Sequence, residues 1–282
     1  MGESNNKNTS RKSISVIIIS KDEESMIANC LASVQFADEI VVVDSGSTDN
    51  SLGIAAREGA KIVEVSSGSF QDWRNRGAKE STSDWLLYID ADERVTPKLA
   101  QEIEDTIQFT SNAAFALRRN NIHFGRWMQF GGWEQDRIVR LFKRSHLRGW
   151  EGKVHEHAEI DGILGELKEP LVHLTHRNIR DGLVKSYTWT DTEAQLLFEA
   201  GAKPVQPFTL LRKFGMECFR RLIAKKGYKD GMEGWIESFQ QAINRFFVYE
   251  RLWELQQKPS LDERYQLIEK EIVKQWGKKN NT

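Results

Sequence analysis

Over residues 1–110, short apolar, β-branched runs alternate with stretches of helical spacing, and that rhythm leaves few folds open. Residues 13–20 (SISVIIIS) are nearly continuous in apolar side chains, as a strand buried on both faces must be. Residues 39–44 (EIVVVD), 61–65 and 85–90 (WLLYID) repeat the pattern. Between them, 23–34 carries Met26, Ile27, Cys30 and Leu31 at helical spacing, and 72–79 is helical as well. A helix over 49–58 starts at Thr48 or Asp49 as N-cap and stops at Gly59. Thr96 and Pro97 form an N-cap and N1 pair for a helix running to about residue 107. The alternation predicts an α/β fold, a mostly parallel sheet with helices on both faces.

The rhythm changes at Ala113. Residues 114–119, 137–143 and 160–172 read as strands between glycine-rich turns, and from about Asn178 the pattern is helical to the end. One helix precedes Gly201, one spans 208–226, one 231–257, and one follows Pro259. The expected division is a disordered polar leader (1–12), an α/β domain (13–177, in halves 13–110 and 111–177) and a helical tail (178–282).

The apolar fraction of 39% and charged fraction of 29% are those of a globular protein. A net charge of −1 supplies no general field for nucleic acid, so no nucleic-acid partner is expected. Cys30 and Cys218 are the only cysteines, which predicts a reducing compartment and two inert buried thiols. The leader lacks a signal-peptide core, and no run approaches the roughly 18–20 apolar residues of a membrane span, so a cytoplasmic location is expected. Tryptophans cluster in the second half (Trp127, Trp133, Trp150, Trp189, Trp235, Trp253); core packing is the first expectation for most, sugar stacking or a membrane interface the second.

Open α/β sheets bind ligands beyond the carboxyl ends of their strands. Asp44 ends the second strand, Asp90 the fourth, and Asp92 follows two residues on, so three carboxylates aim at one crevice. In a strand continuing straight, Asp90 and Asp92 point the same way and can share a cation. Such oxygen ligands suit Mg²⁺ or Mn²⁺ together with substrate phosphates. The first strand is followed by no Gly-x-Gly-x-x-Gly and no Gly-Lys-Ser/Thr loop, which argues against dinucleotide and P-loop chemistry.

The run SVIIISKDEESMIANCLASVQFADEIVVVDSGSTDNS, followed by SFQDWRNRGAKESTSDWLLYIDADE, resembles the N-terminal half of inverting glycosyltransferases of family 2, which have the GT-A fold. The likeness continues through GRWMQFGGWEQDRIVRLFKR, EGKVHEHAEIDG and GYKDGMEGW, over roughly residues 13–255, and is greatest toward bacterial lipopolysaccharide-core glucosyltransferases. The resemblance implies a hexose, glucose by that likeness, moved from a UDP-sugar to a hydroxyl of a cell-envelope glycan. Ser20 and Glu23 would line the base and ribose site, Asp44 would meet the uracil, and Arg74 and Asn75 would approach the nucleotide. Asp90 and Asp92 would form the metal motif at the diphosphate. The family usually has Asn-Glu where this chain has Asp22-Glu23; the aspartate keeps an acceptor and loses the amide donor.

A carboxylate must take the acceptor's proton. The resemblance favours Asp136, with Glu134 and Glu156 as alternatives and pairing of Asp136 with Arg137 or Arg140 as the non-catalytic reading. Trp133 would stack on a sugar. The run His155-Glu156-His157 lacks zinc-hydrolase spacing; within the family-like VHE, His155 would touch the diphosphate or the metal. Residues 208–230 hold Arg212, Lys213, Arg220, Arg221, Lys225, Lys226 and Lys229 against Glu217 and Asp230. Phe208, Leu211, Phe214, Cys218 and Leu222 form an apolar stripe there, which either rests on the inner membrane face or packs on the protein. The competing functions are a sugar nucleotidyltransferase and a non-catalytic sugar-binding relative.

Overall fold

In the computed structural model, which describes residues 11–152 and 156–279, β1 (Ile14–Ser20) is buried along its whole length. It pairs in parallel with β2 (Glu39–Asp44) on one side and β4 (Trp85–Asp90) on the other, and β3 (Lys61–Glu64) flanks β2. Strand alternation sorts its side chains: Ile14, Val16 and Ile18 join one core layer, Ile17 and Ile19 the other. The intervening helices are α1 (Ile27–Ala32), α2 (Ser51–Arg57), α3 (Phe70–Glu80) and α4 (Pro97–Phe109). Thr96 caps α4 through its hydroxyl and Pro97 opens it, as expected.

α3 sits close on the sheet because Gly77 lacks a side chain. A Cβ there would lie 2.5 Å from Ile17 Cγ2 and 3.2 Å from Val43 Cγ2. Gly77→Val is therefore expected to destabilise the fold by about 1–3 kcal/mol through overpacking. An unchanged urea midpoint would show that α3 does not bear on these strands.

The second half bends the sheet. β5 (Glu93–Arg94) follows β4 after two residues, yet it pairs with β12 (Leu171–Leu174) at the far end of the strand order. Between them lie β8 (Arg137–Lys143), antiparallel to β4, and β6 (Ala114–His123), antiparallel to β8 and parallel to β12. A strand adjacent to β4 in sequence can reach the opposite end of the order only if the sheet curls. A bulge at Phe115/Ala116 interrupts the β6–β8 register. β7 (Arg126–Trp127) and β11 (Leu164–Glu166) also pair with β6, while β9 (Leu147–Glu151) and β10 (His157–Ile160) form a separate hairpin. The stretch expected as strand over 160–172 is three pieces: it turns at Gly162 with φ +140°, where a Cβ would meet that of Ala113 at 2.7 Å, and again over 167–170, while Gly165 lies inside β11.

Among the described residues, contacts divide the chain into one unit of 11–127 with 133–175 and a second of 128–132 with 176–279. The second contains α5 (Ile179–Glu199), α6 (Pro207–Cys218), α7 (Gly231–Leu255) and α8 (Leu261–Lys279), with Ala194, Val205, Val248 and Leu252 at its core. The helix expected over 208–226 is α6 continued by a π-helical stretch, Phe219–Ala224, and stopped where Lys226 adopts φ +58°. Among the described residues no helix is long and apolar enough to cross a membrane.

Two packing expectations need correction. Burial pushes the Cys30 thiol up to about 12, which leaves it inert, but Cys218 is only half-buried. Of the six clustered tryptophans only Trp150 is buried; Trp127, Trp189, Trp235 and Trp253 are exposed. Helical and edge positions leave those rings one covered face at most.

Candidate active site

The carboxyl ends of β1 and β2 meet in a tightly bonded pair of loops. Asp44, buried at the end of β2, accepts the backbone N–H groups of Gly46 and Ser47 at 2.9 and 2.8 Å and the Ser47 hydroxyl. Asp22 adopts φ +53°, a conformation that Asp tolerates, and accepts from the Thr48 backbone at 2.7 Å and its hydroxyl at 3.1 Å. The Thr48 N–H holds the Asp22 carboxyl below its ordinary value. Its acceptor-only chemistry is thus used to tie the two loops. Ser20 is buried, its hydroxyl without a hydrogen-bond partner, and the Glu23 N–H donates to Ser51 Oγ at 2.8 Å.

Asp90 does not stand free beside Asp92. β4 ends at Asp90, the chain turns, and the two carboxylates take different partners. Asp90 Oδ2 accepts from Arg140 Nη2 at 2.6 Å, and Oδ1 lies 3.6 Å from Arg74 Nη2. Burial alone would raise the Asp90 carboxyl, but the charges of Arg140 and Arg74 outweigh it and hold the group low. Glu93, fully buried, accepts the Asp90 N–H at 2.9 Å and lies 3.4 Å from Arg119 and 3.8 Å from Arg140. Burial holds the Glu93 carboxyl above its ordinary value, against the pull of Arg140.

Asp92 turns toward β12, where His173 Nε2 lies 3.5 Å from Asp92 Oδ2. His173 Nδ1 lies 2.6 Å from Asn121 Oδ1. The amide of Asn121 is oriented by its NH₂ group, which donates to Asp136 Oδ2 at 3.0 Å. Its oxygen therefore faces the imidazole, so Nδ1 is the nitrogen that donates to it and Nε2 is the one turned toward Asp92. A carboxylate and an imidazole lone pair, converging at a half-buried position, form a donor set that suits a divalent cation. Sequence reading missed His173; a histidine in a short strand carries no local signal of a partner about 80 residues earlier.

Asp136 follows the Trp133–Asp136 turn. Its Oδ2 takes Arg119 Nε at 2.8 Å as well as Asn121, so the arginine it pairs with is Arg119 rather than Arg137 or Arg140. None of these contacts uses Oδ1. Trp133 packs on buried His123 with ring centroids 4.5 Å apart, and Glu134 is exposed. Glu156 lies 3.4 Å from Arg74. His155 lies outside the described residues. His157 shares an exposed face with Glu151 and Glu159.

Arg74 and Asn75 part company. Arg74 is buried, its guanidinium 4.7 Å from the Trp150 ring, and its Nε and Nη1 have no hydrogen-bond partner among the described residues. Asn75 bonds to β9: its Oδ1 accepts from the Trp150 N–H at 2.8 Å and its Nδ2 donates to the Trp150 carbonyl at 3.0 Å. One donor and one acceptor of the amide thus fix Asn75 to the β9 backbone, and a second N–H and a second lone pair are left for the expected nucleotide contact.

The family model for glycosyl transferase family 2 matches residues 15–157, just over half of the chain. This protein is a family 2 glycosyltransferase. Its curled α/β sheet with C-terminal helices is the GT-A class expected of that family. Among its relatives, an uncharacterised glycosyltransferase of Rickettsia conorii is 26% identical over 88% of this chain and 92% of its own. The lipopolysaccharide core biosynthesis glycosyltransferase LpsC of Rhizobium meliloti is 24% identical over 89% and 96%. The structure is also similar to that of glucosyl-3-phosphoglycerate synthase from Mycobacterium tuberculosis, at 16% identity and TM-score 0.45, covering 68% of this chain and 81% of that one.

Proposed function

We propose that this glycosyltransferase inverts configuration while moving a hexose, glucose by resemblance, from a UDP-sugar to a hydroxyl of a cell-envelope glycan such as lipopolysaccharide core. The observation that carries the reading is the convergence of Asp92 and Nε2 of His173 at one end of a network whose other end is Asp136. Asp92 and His173 would hold Mg²⁺ or Mn²⁺, with Asp90 beside them. A cation bound there supplies positive charge against the diphosphate leaving group. Arg74, with two buried N–H positions unpartnered among the described residues, is suited to diphosphate oxygens.

Asp136 would accept the hydroxyl proton through Oδ1 while Arg119 and Asn121 hold Oδ2. Its carboxylate is thereby fixed in orientation without losing both acceptors. Glu134 and Glu156 are the alternative bases, and Trp133 would stack on a sugar. Ser20, Glu23 and the Asp44 loop would form the nucleoside end. The domain division is a catalytic unit over 13–177 and a helical tail over 178–282. The protein would work in the cytoplasm, in peripheral contact with the inner membrane face, because LpsC-like acceptors are envelope glycans.

The test is UDP release from a panel of UDP-sugars with Mn²⁺ or Mg²⁺. Release should stop on chelation and return with added metal. Asp136→Asn should lower acceptor-dependent release by roughly 10²–10⁴-fold while leaving UDP binding intact. Pyrophosphate release would instead identify a nucleotidyltransferase, and metal-independent binding without turnover a non-catalytic relative.

A further inference from the structure

The helical tail takes hold of a piece of chain that belongs, by sequence, to the acceptor side. Asp230, 2% exposed, accepts the backbone N–H groups of Gln129 (3.1 Å) and Phe130 (2.8 Å). The Lys225 carbonyl accepts the Gly131 N–H at 2.8 Å, Arg221 Nη1 donates to the Gly131 carbonyl at 3.1 Å, and Lys229 Nζ lies 5.3 Å from the Phe130 ring centre. Residues 129–131 are therefore bonded to residues 221–230 through their main chain. Two residues further on comes Trp133, and then Asp136.

The clamping segment is also unlike a solvated helix. Its π-helical stretch exposes Phe219 (61%) and Ile223 (51%), four apart and so on one face, and Tyr228 follows at 44%. Exposed Lys226 and Lys229 interleave with them, and Arg220 lies beside Phe219 paired with Glu217. Between 219 and 230 the sole acid is Asp230, and it faces inward on backbone donors. The stripe foreseen in the sequence splits: Leu222 is buried and Phe214 and Cys218 are half-buried, while Phe208, Leu211, Phe219 and Ile223 are exposed. Apolar side chains among cations, with no exposed acid, complement an anionic bilayer surface.

We propose that residues 219–230 dock on an anionic lipid surface and that the Asp230 clamp transmits this contact to the 128–132 loop, whose main chain it orders. The inference rests on the peripheral-membrane reading above and adds its coupling to the acceptor loop. Lipid contact stabilises the clamping segment, and the segment's main-chain bonds then restrict residues 129–131.

The experiment is hydrogen exchange and co-sedimentation of the full chain with vesicles of phosphatidylcholine alone or mixed with phosphatidylglycerol. The protein should sediment only with the mixed vesicles, less so as salt rises. Exchange should slow at 219–230 and also at the amides of Gln129, Phe130 and Gly131. The triple variant Phe219→Ser, Ile223→Ser, Lys226→Glu alters exposed positions only and should weaken partitioning by at least roughly a hundredfold. Asp230→Asn, and independently Arg221→Gln, should still sediment yet lose the slowed exchange at 129–131. Equal binding to neutral vesicles, no binding, self-association in place of lipid binding, or docking without any change at 129–131 would each overturn the proposal. Neither readout needs sugar transfer, so loss of UDP release with docking intact would count against the enzymatic reading alone.

Discussion

Asp92→Ala is expected to reduce sugar transfer by at least about 10³-fold, because metal stabilisation of the leaving group is worth several kcal/mol and each 1.36 kcal/mol is tenfold. Asp92 is half-buried, so the fold should survive its removal. The loss should therefore appear in kcat with little change in melting temperature. His173→Ala should behave alike, since it removes the other converging donor. Asn121→Leu acts one step further out: it frees the imidazole to change tautomer, and should weaken Mn²⁺ affinity by roughly 10–100-fold. If Asp92→Ala transfers sugar at the parental rate, the cation does not sit between Asp92 and His173.

Arg140→Met carries the largest expected effect on stability. Arg140 is buried and faces Asp90 at 2.6 Å and Glu93 at 3.8 Å, so its removal leaves Asp90 with Arg74 at 3.6 Å and buried Glu93 with Arg119 at 3.4 Å as their remaining cations. Breaking a buried pair in this way costs about 3–5 kcal/mol. In a unit of this size that amounts to a fall of roughly 10 °C in melting temperature. The pH dependence distinguishes this cause from lost packing. In the parent, the lowered Asp90 carboxyl contributes stability above the ordinary aspartate range, and that contribution fades as pH falls through its lowered value. In Arg140→Met both carboxyls rise, so the variant should regain part of its deficit as pH falls toward 5. Urea midpoints across pH would show this, and a constant deficit would mean that the charges are not the reason.

Local pattern and tertiary context divide the rest between them. The four leading strands, the helices between them and the aspartates at strand ends were legible because burial on two faces imposes a visible composition on contiguous residues. The order of motifs sufficed for the family. The same reading misjudged what those residues touch. It assumed a strand running straight through Asp90 and Asp92, whereas the strand stops between them, and it did not foresee the bonds of Asn75 to the Trp150 backbone.

The partners that define the site come from far away in the chain: Arg140 for Asp90, His173 for Asp92, Arg119 and Asn121 for Asp136. No periodicity announces them. They meet because β8 and β6 insert between β4 and β12 and the sheet curls until β5 closes on β12. Periodicity records which face of a segment leaves water, a property of neighbours along the chain. Which charge meets which is set by strand order and curvature, which depend on packing summed over the whole sheet.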